Sequence, residues 1–406
     1  MKRRILTAAI LVFFLLFPVT FADAAEMSET VEKTGKTTSQ SEQIEPTTRT
    51  NLQKIRDETQ EKLLSELDFG EMDKSLSRMF PDKKISFAEV MESLLEGNIE
   101  ETGELLLDYI KDRIGYEFRS NRKSLIYMLL IIIVAAVFRN FASAMQSRQV
   151  SQISFYVLYM LLITLCLSAF KVAMEGLEGQ LAQILDFMRL FCPCYFLAVT
   201  VSAGSSSAVM FYNLALFLIY LVEALILHFL LPVIHLYIMI QVINYLTGED
   251  MLSEFTNLIQ TFITWILKTL LGAVIGINVI QGLLGPAIDM LKRSTLTKTL
   301  EAIPGVGNTF GSVTDVALGT AVLVKNGIGM AGAVIVLLIC VVPMIQMLVL
   351  CVSFKMTAAL AQPISDERIT GCIRSVGEGY ALMIRTLFTV SILFLLTIAI
   401  AAAATS

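Results

Sequence analysis

Apolar residues in this chain come in long blocks. From residue 124 to residue 402 each block approaches the roughly 20 residues that a helix needs to cross a bilayer. The blocks predict spans over 124–144, 152–172, 189–204, 208–230, 257–284, 331–352 and 380–402. The Gly-rich stretch 305–329 either crosses or re-enters, so the count is seven or eight. Residues 208–246 would make about 58 Å of helix, too long for one crossing. Pro232 removes a backbone donor, which predicts a span ending near 230 and a further helix along the outer interface.

The N-terminal blocks have a different rhythm. Lys2-Arg3-Arg4, the apolar run Ile5–Phe17, Pro18 and Ala22-Asp23-Ala24 together match a signal peptide over 1–24. Residues 25–50 are rich in Ser, Thr, Glu and Lys and carry too little apolar surface to offset chain entropy, which predicts a disordered linker. Over 51–123 the period becomes helical. Ser86-Phe-Ala-Glu89 reads as a capping box, followed by an apolar face at Val90, Met91, Leu94 and Leu95 and by Gly97 as a C-terminal stop. The fold expected is all-α: a polytopic helical membrane domain over 124–406 behind a small exported helical domain over 51–123.

Charge refines this layout. Only 17% of the 406 residues are charged and 55% are hydrophobic, with mean hydropathy +0.69, whereas a soluble domain is nearer about 25% charged. Residues 26–123 hold 15 Lys/Arg against 22 Asp/Glu, a net of −7, while 124–406 hold 13 of each. Arg139 and Arg148 put the exit of the first span on the cytoplasmic side. By the same logic the acidic segments Glu175–Asp186 and Glu249–Glu254 lie outside, and Lys292, Arg293 and Lys298 lie inside. Lys355, Arg368 and Arg374 lean cytoplasmic, which favours eight spans. No basic patch points to nucleic acid. The six cysteines sit in or beside apolar blocks and read as buried free thiols, since the N-terminal region has none for a secreted disulfide framework.

Catalytic and cofactor chemistry finds no support. His228 and His235 are two ligands where zinc wants three or four. Gly327-Ile-Gly329-Met-Ala-Gly332 has the spacing of a dinucleotide fingerprint but leads into a hydrophobic span, so small residues for helix packing explain it. Gly305-Val-Gly307-Asn308 offers an amide where an intramembrane protease needs a carboxylate. Gly204-Ser-Ser-Ser207 has no partnering base, and there is no P-loop. The chain reads as a non-enzyme without a cofactor or metal.

Two sets of residues stand out as candidates for a conduit or for helix packing. Glu223 and Lys268 are ionisable inside predicted spans, where such groups face a polar interior or pair with each other. The second set lies in 268–330, a stretch rich in Gly, sprinkled with charge and punctuated by Pro286 and Pro304. Irregular backbone at membrane depth is tolerated only where protein or a cavity covers it. Asn278, Gly305, Gly307, Asn308 and Gly311 are its candidate residues.

Several of these segments taken together resemble the stage III sporulation protein AE family. They are Gly276-Ile-Asn278-Val-Ile-Gln-Gly-Leu283 with Pro286-Ala-Ile-Asp289, and Ala302-Ile-Pro304-Gly-Val-Gly307-Asn308. Cys192-Pro-Cys194, Ser205-Ser-Ser207 with Phe211-Tyr-Asn213, and Ser86-Phe-Ala-Glu89-Val90 complete the set. The resemblance implies a role in endospore formation, in the mother-cell membrane around the forespore. It implies partners among the other stage III A-operon proteins, including a separate ATPase subunit, and stage II sporulation protein Q on the forespore side. The assembly implied is a channel or secretion-like complex in lipid, with no catalytic residue to carry over. The alternative is a self-contained transporter with its site at broken helices.

Overall fold

The structure, a computed structural model, describes residues 69–80, 85–95, parts of 111–137, 148–202, 205–247, 251–300 and 307–404, with only the backbone path for 95, 148–152, 154, 155, 205–207, 246, 247, 278, 281, 282, 284–300, 307–318, 403 and 404. The chain divides into Met1–Asn51 and Leu52–Ser406, and every described residue belongs to the second unit. Its described residues are helical, without a strand.

We number the main helices α1 Gly70–Met79, α2 Phe87–Leu95, α3 Arg148–Ser202, α4 Ser205–Leu221, α5 Leu231–Thr247, α6 Ser253–Leu300, α7 Gly307–Ala361 and α8 Glu367–Ala404. A π-helical segment, Val222–Leu230, joins α4 to α5. Antiparallel hairpins build the bundle. Facing side chains fix the register: Gln180 bonds to Gln346 across α3 and α7 at 3.0 Å, and Cys351 Sγ donates to the Gly377 carbonyl across α7 and α8 at 3.3 Å. Tyr237 Oη donates to Glu378 Oε2 across α5 and α8 at 3.3 Å. The helices α7 and α8 form the centre. The most apolar window of each is 56% and 61% buried, against 28% for α3 and for α6.

Where loops were expected, helices run through. Spans 152–172 and 189–204 are parts of one helix, α3, of 55 residues or roughly 82 Å. The reason is in its two faces. Leu177, Leu181, Ile184, Leu185 and Met188 are buried at helical spacing, while Glu175, Glu178, Gln183 and Asp186 point outward. A charged exposed face does not end a helix when the other face is buried. The stretch 305–329 is likewise continuous with 331–352 from Gly307 onward, as α7.

Pro232 does not send the chain along an interface either. The π-helical segment absorbs the missing donor, with Leu231 N–H bonding to the Ile226 carbonyl, and α5 continues into the core at Ile234, Tyr237, Ile238 and Val242. Five helices among the described residues are long and apolar enough to cross a membrane, not seven or eight. Fusion of two predicted pairs removes two crossings, and 124–144 is described only in fragments.

Single crossings also change the sidedness expected from charge. Gly371 lies against the Tyr245 ring, so the end of α5 and the start of α8, with Arg368 and Arg374, share one end of the bundle. They were expected on opposite sides.

Two helices of the expected exported domain, α1 and α2, pack against the bundle. Phe87 is fully buried and its ring lies 5.1 Å from Phe69 and 6.1 Å from Phe191 of α3. Met72, Leu76, Phe80 and Met91 are buried beside it. The capping box takes another form. Asp73 of α1 accepts from the Phe87 amide at 2.6 Å and from the Ser86 hydroxyl at 3.2 Å, so a carboxylate from the neighbouring helix caps α2.

Candidate functional site

The outward face of α3 changes character along its length. Val172 and Leu197 are 66% and 51% exposed, but no large apolar side chain is exposed between them. Glu175, Glu178, Gln183, Asp186 and Arg189 occupy that face. Here α1 docks. Glu71, Ser75 and Arg78 of α1 and Gln183, Asp186 and Arg189 of α3 line a cavity of about 430 Å³.

Arg189 is the hub of this waist. It bonds to Asp186 one turn away at 3.1 Å and reaches Glu223 on the π-helical segment. The π-helical turn also brings the His228 Nδ1–H to the Glu223 carbonyl at 2.8 Å, which sets the ring's tautomer. These ionic groups are a third to two-thirds exposed, so each pair contributes at most about 1 kcal/mol. What the cluster supplies is position: it ties α3 to the α4–α5 helix at the level where α1 sits.

The two predicted site residues whose side chains are described, Glu223 and Lys268, do not pair with each other. Glu223 pairs with Arg189, not with Lys268. Lys268 is exposed on α6 beside Gln260, Thr261, Thr264 and Trp265. Asn278 lies in α6, and Gly307, Asn308 and Gly311 in the first turns of α7, but their side-chain surroundings are outside the described residues. Gly305 is outside them altogether.

Close packing falls on other glycines. A Cβ at Gly332 would run into the Phe191 ring, and one at Gly329 would come within 3.1 Å of Tyr195, so the packing explanation of Gly327–Gly332 holds. Gly371 and Gly379 of α8 are equally tight, against Tyr245 and against Ile238 with Phe170. Sequence reasoning missed these two because they lie in the charged entry to the last span, which reads as a loop. Their signal is the eight-residue spacing of Gly371 and Gly379, which turns both toward α5.

Lys325 is one of the charges scattered through 268–330. It is fully buried in α7, with Nζ 3.5 Å from the Ala402 carbonyl in the last turn of α8. A cation there meets the negative end of the helix dipole. The six cysteines are free thiols, and all but Cys194 are buried. His235 stacks on Phe170 with ring centroids 6.0 Å apart. Among the described residues no three His, Cys, Asp or Glu side chains converge as a metal donor set. The arrangement offers docking and packing surfaces.

Residues 85–405 match the family model described as "Stage III sporulation protein AE". Stage III sporulation protein AE of Bacillus subtilis (strain 168) is 24% identical over 286 residues, which cover 70% of this chain and 72% of that protein. No solved structure matches the chain.

Proposed function

The chain belongs to the stage III sporulation protein AE family, a family of sporulation proteins, and from that premise we propose that it is the membrane core subunit of a channel or secretion-like complex linking mother cell and forespore. On this reading it sits in the mother-cell membrane around the forespore, with α1 and α2 on the extracytoplasmic side. Its partners are the other stage III A-operon proteins, a separate ATPase subunit among them, and stage II sporulation protein Q. The complex supports late gene expression in the forespore.

One observation supports a subunit over a self-contained transporter. Two short helices ahead of the spans are anchored into the bundle through Phe87, while their polar faces stay outside. Glu71, Lys74, Ser77 and Arg78 of α1 are exposed. A lone transporter has little use for such an addition, whereas a subunit has a face for a neighbour. Deleting 25–120 is not a clean test, because it also removes Phe87 from the core. Purifying the full chain from detergent-solubilised membranes of sporulating cells is cleaner. The expected result is recovery of the A-operon partners with it. A chain recovered alone, and transporting a solute in vesicles, overturns the proposal.

The stretch 299–329 belongs to this reading as a surface that lines the conduit or docks a cytoplasmic partner. Leucine at Gly305, Gly307 or Gly311 should abolish sporulation while membrane insertion continues. Normal sporulation in these variants removes the stretch from the account.

A further inference from the structure

Residues Ser253–Ile277 of α6 qualify as a span, yet the outward arc of this helix is split in character. With about 100° of turn per residue, Glu254, Asn257, Thr261, Thr264 and Lys268 fall within one arc of roughly 80°. Leu258, Phe262, Trp265 and Phe255 fill the adjoining arc of roughly equal width. Both edges are open. Glu254, Asn257, Thr261 and Lys268 are exposed, as are Leu258 at 64% and Trp265 at 61%. Together they form one open face of α6 that continues past Thr264 to Lys268. None of the ion pairs among the described residues includes Lys268.

A helix surrounded by lipid carries apolar residues all round. Amide, hydroxyl and ammonium groups facing hydrocarbon are costly, and polar groups at membrane depth face protein or a water-filled cavity. A helix at the border of lipid and water has one edge of each kind, as α6 does. The polar edge is also bounded. It runs for about 21 Å from Glu254 to Lys268, after which the same arc carries Gly272, Ile275 and Val279.

We propose that the polar edge of α6 lines a water-filled vestibule that opens at the Ser253 end, ends at Lys268, and admits small polar solutes, anions being favoured at its Lys268 end. This rests on the conduit reading above. It adds the wall, its depth and the charge that selects. The ammonium at the blind end supplies the preference, and Glu254 stands at the mouth.

The test uses single cysteines in the full-length chain in native membranes: Asn257→Cys, Thr261→Cys and Thr264→Cys on the polar edge, Leu258→Cys and Phe262→Cys on the apolar edge. Small charged methanethiosulfonate reagents that do not cross membranes are applied. Adducts are counted by mass above the background of the six native thiols. Labelling of the polar edge alone is the expected result. At Thr264→Cys the anionic reagent should react roughly fivefold faster than the cationic one, and Lys268→Gln should erase that difference. Labelling on neither edge means that lipid or another chain covers the face, and it overturns the proposal. Equal labelling of both edges means that the helix stands in open water, and it overturns it too. Co-purification of partners with the same variants keeps the two readings apart. Partners retained without polar-edge labelling remove the vestibule and leave the subunit role intact.

Discussion

At Gly379 a methyl group would come within 2.6 Å of Ile238 and 2.7 Å of Phe170, both buried. Gly176, on the exposed face of α3, has nothing within 4 Å. The two therefore predict opposite outcomes for one chemical change. Gly379→Ala should destabilise the bundle by about 1–3 kcal/mol through overpacking. Gly176→Ala should be neutral or stabilise it by up to about 1 kcal/mol through helix propensity. Thermal unfolding of the purified chain in detergent reads both. The charged waist predicts a smaller effect. Arg189→Glu leaves three carboxylates together, with Asp186 and Glu223, and should cost about 1 kcal/mol. Adding Glu223→Arg should restore most of that, whereas Lys268→Glu should not. No restoration by Glu223→Arg would return Glu223 to the pairing with Lys268 expected from sequence.

Helix existence was legible in the sequence and helix boundaries were not. Long apolar blocks predicted an all-α membrane protein, which the fold bears out. Breaks were inferred at Glu175–Asp186 and at Pro232, where charge or a missing donor interrupts the apolar pattern. Both segments stay helical because burial on the opposite face, set by partners distant in the chain, outweighs the local signal. The π-helical segment had no signature apart from Pro232. Helix α2 was legible through its apolar face, but the cap from Asp73 was not, since it depends on how two helices meet. The site was less legible still. Glu223 was singled out, yet its partner Arg189 was not, since no local pattern joins residues 34 apart in the chain. At this scale the docking of α2 carries the strongest prediction. Phe87→Ala should cost about 3–5 kcal/mol, the range for emptying a fully buried aromatic position. It should also expose 69–95 to proteolysis. If 69–95 stays as protease-resistant as in the native chain, α1 and α2 are held by something other than Phe87.

The described residues of Leu52–Ser406 form a central hairpin, α7 and α8, wrapped by α3, α4–α5 and α6, with α1 and α2 pinned to the polar waist of α3. The proposed subunit role requires that the outward face of α1 meets a neighbour in the assembled complex. Substituting Lys74→Glu and Ser77→Lys together alters that face, since both side chains are exposed, neither lines the cavity shared with α3, and the buried anchors Met72, Leu76 and Phe87 are untouched. The decisive measurement is quantitative recovery of the sporulation partners with this double variant from sporulating cells, beside its membrane insertion and melting temperature. The account predicts insertion and melting like the native chain, with partner recovery and sporulation both lost. Native partner recovery and normal sporulation in the double variant would contradict it.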